Sequence, residues 1–265
     1  MQNIIIKKKH EIQKMRLSGK LAANVLDMIE KYLQPLISTE EINNICYNYI
    51  INTQKAIPAC LGYKGFPKSI CISINDVVCH GIPNKTEIIK NGDIVNIDVA
   101  IIKDGYYGDT SRMFLIGNVD YMSKKLCNVT QNSLYQSLRI IQSGISLSEI
   151  GKSIQKYVEK NNFSIVKEYC GHGIGKSFHE EPHILHYDNK YNKNIILQEG
   201  MIFTIEPIIN AGSAEVYCTN DHWTVKTKDK SRSAQYEHTV LVTKSGCEIL
   251  TIQKYEKIEK ILINN

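Results

Sequence analysis

The chain repeats itself at one fixed offset, and each copy ends a strand-like run on an acid. Ile37-Ser-Thr-Glu-Glu-Ile42 returns 108 residues later as Ile145-Ser-Leu-Ser-Glu-Ile150. Gly92-Asp-Ile-Val-Asn-Ile-Asp98 returns at the same offset as Gly200-Met-Ile-Phe-Thr-Ile-Glu206. Two matches at one offset point to a duplicated unit, so the chain is expected to fold as one domain over 1–265. Its two pseudo-symmetric halves would run roughly over 10–117 and 118–250. A site shared by two such halves would gather acids from both, and clustered carboxylates commonly hold a metal.

The 265 residues, 43% hydrophobic and 22% charged, suit a globular chain with a substantial core. No apolar run approaches the length of a membrane span. Met1–His10 lacks the apolar centre and cleavage site of a signal peptide. The eight cysteines show no Cys-x-x-Cys spacing, which suggests reduced thiols in a cytoplasmic protein. The net charge of +5 and the run Lys7-Lys8-Lys9 permit weak attraction to a polyanion such as ribosomal RNA. The alternative is scattered surface lysine with no specific nucleic-acid partner, and the even spread of lysine along the chain favours it.

Ile12, Met15, Val25 and Ile29 recur at helical spacing, and Pro35 closes that helix. Ser38 and Glu41 have capping-box spacing ahead of a second helix through Ile42 and Cys46. Leu126, Val129, Leu134, Leu138 and Ile141 mark a third, and Ser148 opens a fourth. Each half therefore starts with two helices and then turns to strand-like sequence. The pattern is α+β, with helices covering a curved antiparallel or mixed sheet.

Val95, Ile97 and Val99 alternate with Asn96, Asp98 and Ala100, and Asp104-Gly105 is a two-residue hairpin signal. A tight turn pairs Lys103 with Tyr106, Ala100 with Asp109 and Asp98 with Ser111. Asp98 and Asp109 are then diagonal neighbours on one face, roughly 7–8 Å apart at Cα. From there the carboxylates can converge on a metal pair with ions about 3.5–4 Å apart; two solvent-facing hairpin acids are the plainer possibility. Glu206 and Glu237 are the matching acids of the second half, 31 residues apart against 11 in the first, so a 20-residue insertion containing Trp223 separates them.

Cys170-Gly-His-Gly-Ile-Gly175 sets His172 between glycines, which free the backbone for close approach and the imidazole for a site. A lone histidine is more often structural; the four acids favour a ligand here. Gly175-Lys176-Ser177 lacks the earlier glycine of a phosphate-binding loop. His179-Glu-Glu-Pro-His183 has the letters of a zinc helix, but Pro182 opposes the helix that motif needs. His179 stays a candidate for substrate contact.

Taken together, Ala59-Cys-Leu-Gly-Tyr-Lys-Gly-Phe-Pro-Lys-Ser69, Cys79-His-Gly-Ile-Pro83, Asp98 with Asp109, Gly171-His-Gly-Ile-Gly175, Ile205-Glu-Pro207 and Ser233-Ala-Gln-Tyr-Glu-His-Thr239 resemble the type I methionine aminopeptidases of the bacterial, extension-free kind. The resemblance spans nearly the whole chain and implies the pita-bread fold. It implies removal of the initiator methionine from nascent chains with a small second residue. Asp98, Asp109, His172, Glu206 and Glu237 would hold two divalent ions (Co, Mn, Fe or Zn). Asp98 would bind one ion, His172 with Glu206 the other, and Asp109 and Glu237 would bridge. A water or hydroxide shared by the metals would attack the scissile carbonyl, with Glu206 as proton shuttle, His179 polarising the carbonyl oxygen and His80 contacting the amide nitrogen. Cys60, Tyr63, Phe66, Cys71, Phe178 and Trp223 would line the methionine pocket, where sulfur contacts are worth about 0.3–1.5 kcal/mol each. Partners implied are nascent N-termini and a transient ribosome contact, with a monomeric enzyme and no membrane.

Phe66 replaces a tyrosine that also occurs in the family. The 34 residues from His172 to Glu206 leave no room for the helical insertion of type II enzymes. Two other readings keep the fold. An Xaa-Pro dipeptidase or aminopeptidase usually carries an extra N-terminal domain, and a non-catalytic binding protein has usually lost ligands.

Overall fold

The computed structural model describes residues 4–262. Helix α1 (Lys9–Ile29) buries Met15, Ala22, Val25, Leu26 and Ile29, the stripe its spacing predicts. Helix α2 (Thr39–Asn48) starts at the expected capping box, with the Ser38 hydroxyl accepting from the Glu41 amide and the Glu41 carboxylate accepting from Ser38. Strands β1 (Ile57–Pro58), β2 (Cys71–Ile74) and β3 (Val77–Cys79) lead to the long hairpin β4 (Ile94–Lys103) and β5 (Tyr106–Leu115). The hairpin pairs Lys103 with Tyr106, Ala100 with Asp109 and Asp98 with Ser111. Asp104 and Gly105 both take positive φ, as such a turn requires.

The second half opens with α3 (Tyr121–Arg139) and α4 (Ser148–Lys160). Then follow β6 (Ser164–Ile165), β7 (Gly171–Gly173), β8 (Glu180–Ile184), β9 (Ile202–Ile205), β10 (Ile208–Asn210), β11 (Val216–Cys218), β12 (Val225–Thr227), β13 (Ser233–Gln235), β14 (His238–Val242), β15 (Cys247–Ile249) and the short α5 (Ile258–Leu262). Residues 180–184 are strand, not helix, as Pro182 requires.

The sequence repeat is also a repeat of hydrogen bonds. Leu36 N–H donates to Ile89 O, and 108 residues on Gly144 N–H donates to Leu197 O, both at 2.9 Å. Ile89 N–H donates to Ile37 O and Leu197 N–H to Ile145 O, at 2.9 and 2.8 Å. The bridge Ser38 to Ile88 is matched by Ser146 to Ile196. Gly92 and Gly200, with φ of 92° and 91°, make the same turn ahead of the acid-bearing strands.

Every described ladder is antiparallel, so the mixed alternative is not realised, and the strands form four small sheets rather than one. The first half centres on β4, flanked by β5 on one edge and by β1 and β2 on the other. The second centres on β14-β9-β7 and on β13-β10-β6. Two large apolar clusters sit under the helices. One includes Leu26, Ile42 and Ile97 of the first half; the other includes Leu134, Ile154 and Phe203 of the second. The 20-residue insertion is a hairpin, β11 with β12, and β12 pairs with β3 of the first half. Among the described residues no helix is long and apolar enough to cross a membrane. All eight cysteines are free thiols.

Candidate functional site

The central strands of both halves meet at their acids. Asp98 projects from β4 and Asp109 from β5, and Glu237 sits in the break between β13 and β14. One ligand atom from each of these three carboxylates lies within 4.8 Å of the other two. Glu206 closes β9 at Pro207, and the ladders on either side of that break place it across from Glu237. His172 comes from β7: its Nε2 lies 3.6 Å from Asp109 Oδ2 and 3.8 Å from Glu206 Oε1. All five residues singled out in the sequence thus line one cavity.

The glycines around His172 are required by packing. A Cβ at Gly171 would lie 2.3 Å from the Thr204 carbonyl oxygen, and one at Gly173 would lie 2.2 Å from that of Glu181. His172 Nδ1 donates to the Gly173 carbonyl at 2.9 Å, which turns Nε2 to the acids. Thr204 orients two donors: its hydroxyl accepts from the His172 amide at 3.0 Å and lies 2.8 Å from Glu206 Oε1. Gln235 Nε2 donates to Glu206 Oε2 at 3.4 Å.

Burial and crowding load the cluster with unfavourable negative charge. Burial first, then Asp109, holds the Asp98 carboxyl well above the usual range. Burial with Asp109 and Glu206 does the same to Glu237. Glu206 is pushed up to about 7 by burial, against the pull of His172 and with the push of Asp109. Burial opposes charge on His172, but hydrogen bonding to Asp109 and the charge of Glu206 outweigh it and raise its pKa. Asp109 Oδ1 and Glu237 Oε1 are buried with no hydrogen-bond partner. Buried acceptors left unpaired are costly, and divalent cations are the partners that satisfy several carboxylates at once. One imidazole and four carboxylates fit Mn²⁺, Fe²⁺, Co²⁺ or Zn²⁺.

The acids form the floor of a cavity of about 320 Å³. Its walls carry Cys60, Tyr63, Phe66, Cys71, His80, Phe178, His179 and Trp223, all of them sequence candidates. Trp223 meets Phe66 edge-on at 5.1 Å and His80 at 5.9 Å. Burial pushes the His80 imidazole down to about 4. His179 stands at the cavity mouth, its ring 4.1 Å from that of His172, with Nδ1 2.8 Å from the Tyr63 hydroxyl. Partial loss of water, then the nearby His172 and Lys64, pushes its imidazole down.

Sequence reasoning missed Lys64, Cys79, Glu168, Tyr169, Cys170, Ile208 and Gln235, which also line the cavity. Ile208 and Gln235 are each two residues from an acid ligand candidate, a spacing that puts strand residues on one face. Cys79 and Cys170 each lie within two residues of a candidate histidine. Lys64, Glu168 and Tyr169 left no comparable signal.

Residues 13–244 match the family model for metallopeptidase family M24, and the chain belongs to that family. It is 68% identical over 260 residues to the methionine aminopeptidase of Buchnera aphidicola subsp. Acyrthosiphon pisum (strain APS), covering 98% of each chain. It is 58% identical over 259 residues to that of Escherichia coli (strain K12), again covering 98% of each. The crystal structure of methionine aminopeptidase from Rickettsia prowazekii superposes with a TM-score of 0.91 at 51% identity, over 94% of this chain and all of the other. Within M24 the chain therefore groups with the bacterial methionine aminopeptidases, and its fold is the pita-bread fold.

Proposed function

We propose that this protein hydrolyses the peptide bond after an N-terminal methionine when the second residue is small. The observation that carries the reading is the placement of five metal donors, two with orphaned buried oxygens, at the base of a cavity walled by sulfur and aromatic groups. Asp98 would hold one divalent ion and His172 with Glu206 a second, with Asp109 and Glu237 shared between them. Bound there, the metals supply Lewis acidity, which lowers the pKa of water to near neutrality and stabilises negative charge on the carbonyl oxygen.

The remaining roles fall to the chain itself. Cys60, Tyr63, Phe66, Cys71, Phe178 and Trp223 enclose the methionine side chain and exclude water from it. His179, held through Nδ1 by the Tyr63 hydroxyl, is assigned to donate from Nε2 to the substrate carbonyl, the tautomer in which Nδ1 accepts from Tyr63. His80, kept neutral by burial, contacts the amide nitrogen of the cleaved bond. Glu206, its carboxylate held by the Thr204 hydroxyl and Gln235, is the group assigned to shuttle a proton to the leaving amine. In this reading a monomer acts in the cytoplasm on nascent N-termini, with a transient contact to the ribosome.

The test is release of free methionine from Met-Ala-Ser and Met-Leu-Ser, with Leu-Ala-Ser as control, by metal-free protein titrated with Mn²⁺, Fe²⁺, Co²⁺ or Zn²⁺. Metal-dependent cleavage of Met-Ala-Ser alone is expected. Folded, metal-binding protein that cleaves none of the three would point instead to an Xaa-Pro substrate.

A further inference from the structure

Lys7 differs from the two lysines that follow it. Lys8 and Lys9 are exposed, whereas Lys7 is only 5% exposed. Its Nζ pairs with the Glu180 carboxylate, and both side chains are buried. The other Glu180 oxygen, Oε1, accepts from the Ser177 amide at 3.2 Å. Gly175 packs directly on the pair: a Cβ there would lie 2.6 Å from both Lys7 Nζ and Glu180 Oε1. The Lys7 amide donates to the Gly200 carbonyl at 2.9 Å, at the turn that leads into β9.

These contacts enclose the turn Gly175–Glu180, which carries Phe178 and His179 into the cavity. On its inner side the turn is held by the Tyr107 amide, which donates to Gly175 O at 2.9 Å, and by stacking of Tyr107 on Phe178 at 5.2 Å. On its outer side the Lys7–Glu180 pair holds it. A buried ion pair gains little net stability over apolar packing, because both charges give up water. It does impose geometry, since each charge has one satisfactory partner at one position.

We propose that Lys7 is a positioning residue for the reaction: through Glu180 it sets the turn that presents Phe178 and His179 to the substrate. The inference rests on the methionine aminopeptidase reading of the cavity, and it draws the N-terminal segment into the active-site scaffold.

The experiment uses the full chain loaded with Mn²⁺ and compares the parent with Lys7→Met. Three quantities are read: kcat and KM on Met-Ala-Ser, Mn²⁺ affinity by calorimetry, and, in protein loaded instead with diamagnetic Zn²⁺, the His179 imidazole resonances, assigned by their loss in His179→Gln. The variant should lose about tenfold or more in kcat, the scale expected when a group near the reacting bond is misplaced. Mn²⁺ affinity should stay within about twofold, kcat/KM should fall at least as far as kcat because the shifted Phe178 also weakens methionine binding, and the His179 resonances should move. An unchanged kcat in folded protein overturns the proposal. So does a loss that follows weaker Mn²⁺ binding with His179 unmoved. If Lys7→Met does not fold, Glu180→Gln is read by the same criteria. If the parent cleaves no methionyl peptide, the functional reading fails on its own; the His179 resonances then still decide the clamp, since movement supports it and constancy overturns it.

Discussion

Thr110 holds Glu237 across the seam between the two halves. Its hydroxyl donates to the Glu237 carbonyl at 2.7 Å, while the Glu237 amide donates to Ser111 O at 3.1 Å. From the opposite side the Thr239 hydroxyl donates to the Asp109 carbonyl at 2.7 Å. Both threonines are fully buried. The backbones of the two acids proposed to bridge the metals are thus fastened to each other's strands. Thr110→Val leaves a carbonyl buried without that donor, at a cost of about 1–3 kcal/mol. It should lower the melting temperature and weaken Mn²⁺ binding, while Thr110→Ser keeps both. Unchanged Mn²⁺ affinity in the valine variant would show that this bond does not place the carboxylate.

Gly173→Ala is expected to damage the site more than its size suggests. The new methyl would meet the Glu181 carbonyl, part of a neighbouring strand that cannot rotate aside. Strand separation at this point should cost about 1–3 kcal/mol or more and displace His172. Gly246→Ala is the control, because a Cβ there meets nothing within 4 Å. Chemical denaturation of the two variants, run beside Mn²⁺ titration, gives the comparison; equal stability would refute the packing argument.

The first half was legible to the level of register. The alternation from Val95 and the Asp104-Gly105 turn fixed which residues face each other, and the ladder has that pairing. In the second half the helices α3 and α4 were legible, but the matching hairpin was legible only in its ends, Glu206 and Glu237. Pro207 cannot supply a ladder donor, so the strand breaks there and its two parts enter different sheets. The returning strand breaks at Glu237 as well, and no local pattern shows that the intervening hairpin would pair with Val77–Cys79. Lys7 was illegible for a different reason. Burial of one lysine in a run of three depends on Glu180, 173 residues away, and nothing in the run distinguishes it.

His186 should make stability depend on mildly acidic pH. It is 1% exposed, its Nε2 accepts from the Glu206 amide at 3.1 Å, and burial pushes its imidazole down to about 3. The unfolded chain, with a histidine pKa of about 6.5, takes up the proton first. The contribution of His186 is therefore complete above that value and is lost as pH falls toward 3, at up to roughly 1.4 kcal/mol per pH unit. His186→Gln keeps an acceptor but cannot charge, so its stability should fall less between about pH 6.5 and 4. Denaturation curves for metal-free parent and variant across that range test this. Parallel curves would mean that the folded protein accommodates the proton.

Metal loading should stabilise the fold through Asp109. At a hundredfold excess of Mn²⁺ over its dissociation constant, binding adds about 2.7 kcal/mol, and chelation should remove both this gain and methionine release. Asp109→Asn should lose activity and most of the stabilisation, because its side chain no longer offers two anionic oxygens beside His172. Melting curves with and without Mn²⁺ measure the effect; an undiminished shift in Asp109→Asn would place the bound ion elsewhere.

The hairpin of β11 and β12 belongs to no repeat, yet it brings Trp223 against Phe66 and His80. The acids stand on backbone that the duplication holds in register from both sides. One wall of the cavity is therefore encoded in a stretch of chain separate from the metal donors, while Phe178 and His179 share a single turn. Drift in the unpaired twenty residues can retune what enters the cavity while the donor geometry stays intact, so relatives on this scaffold can diverge in diet before they diverge in chemistry.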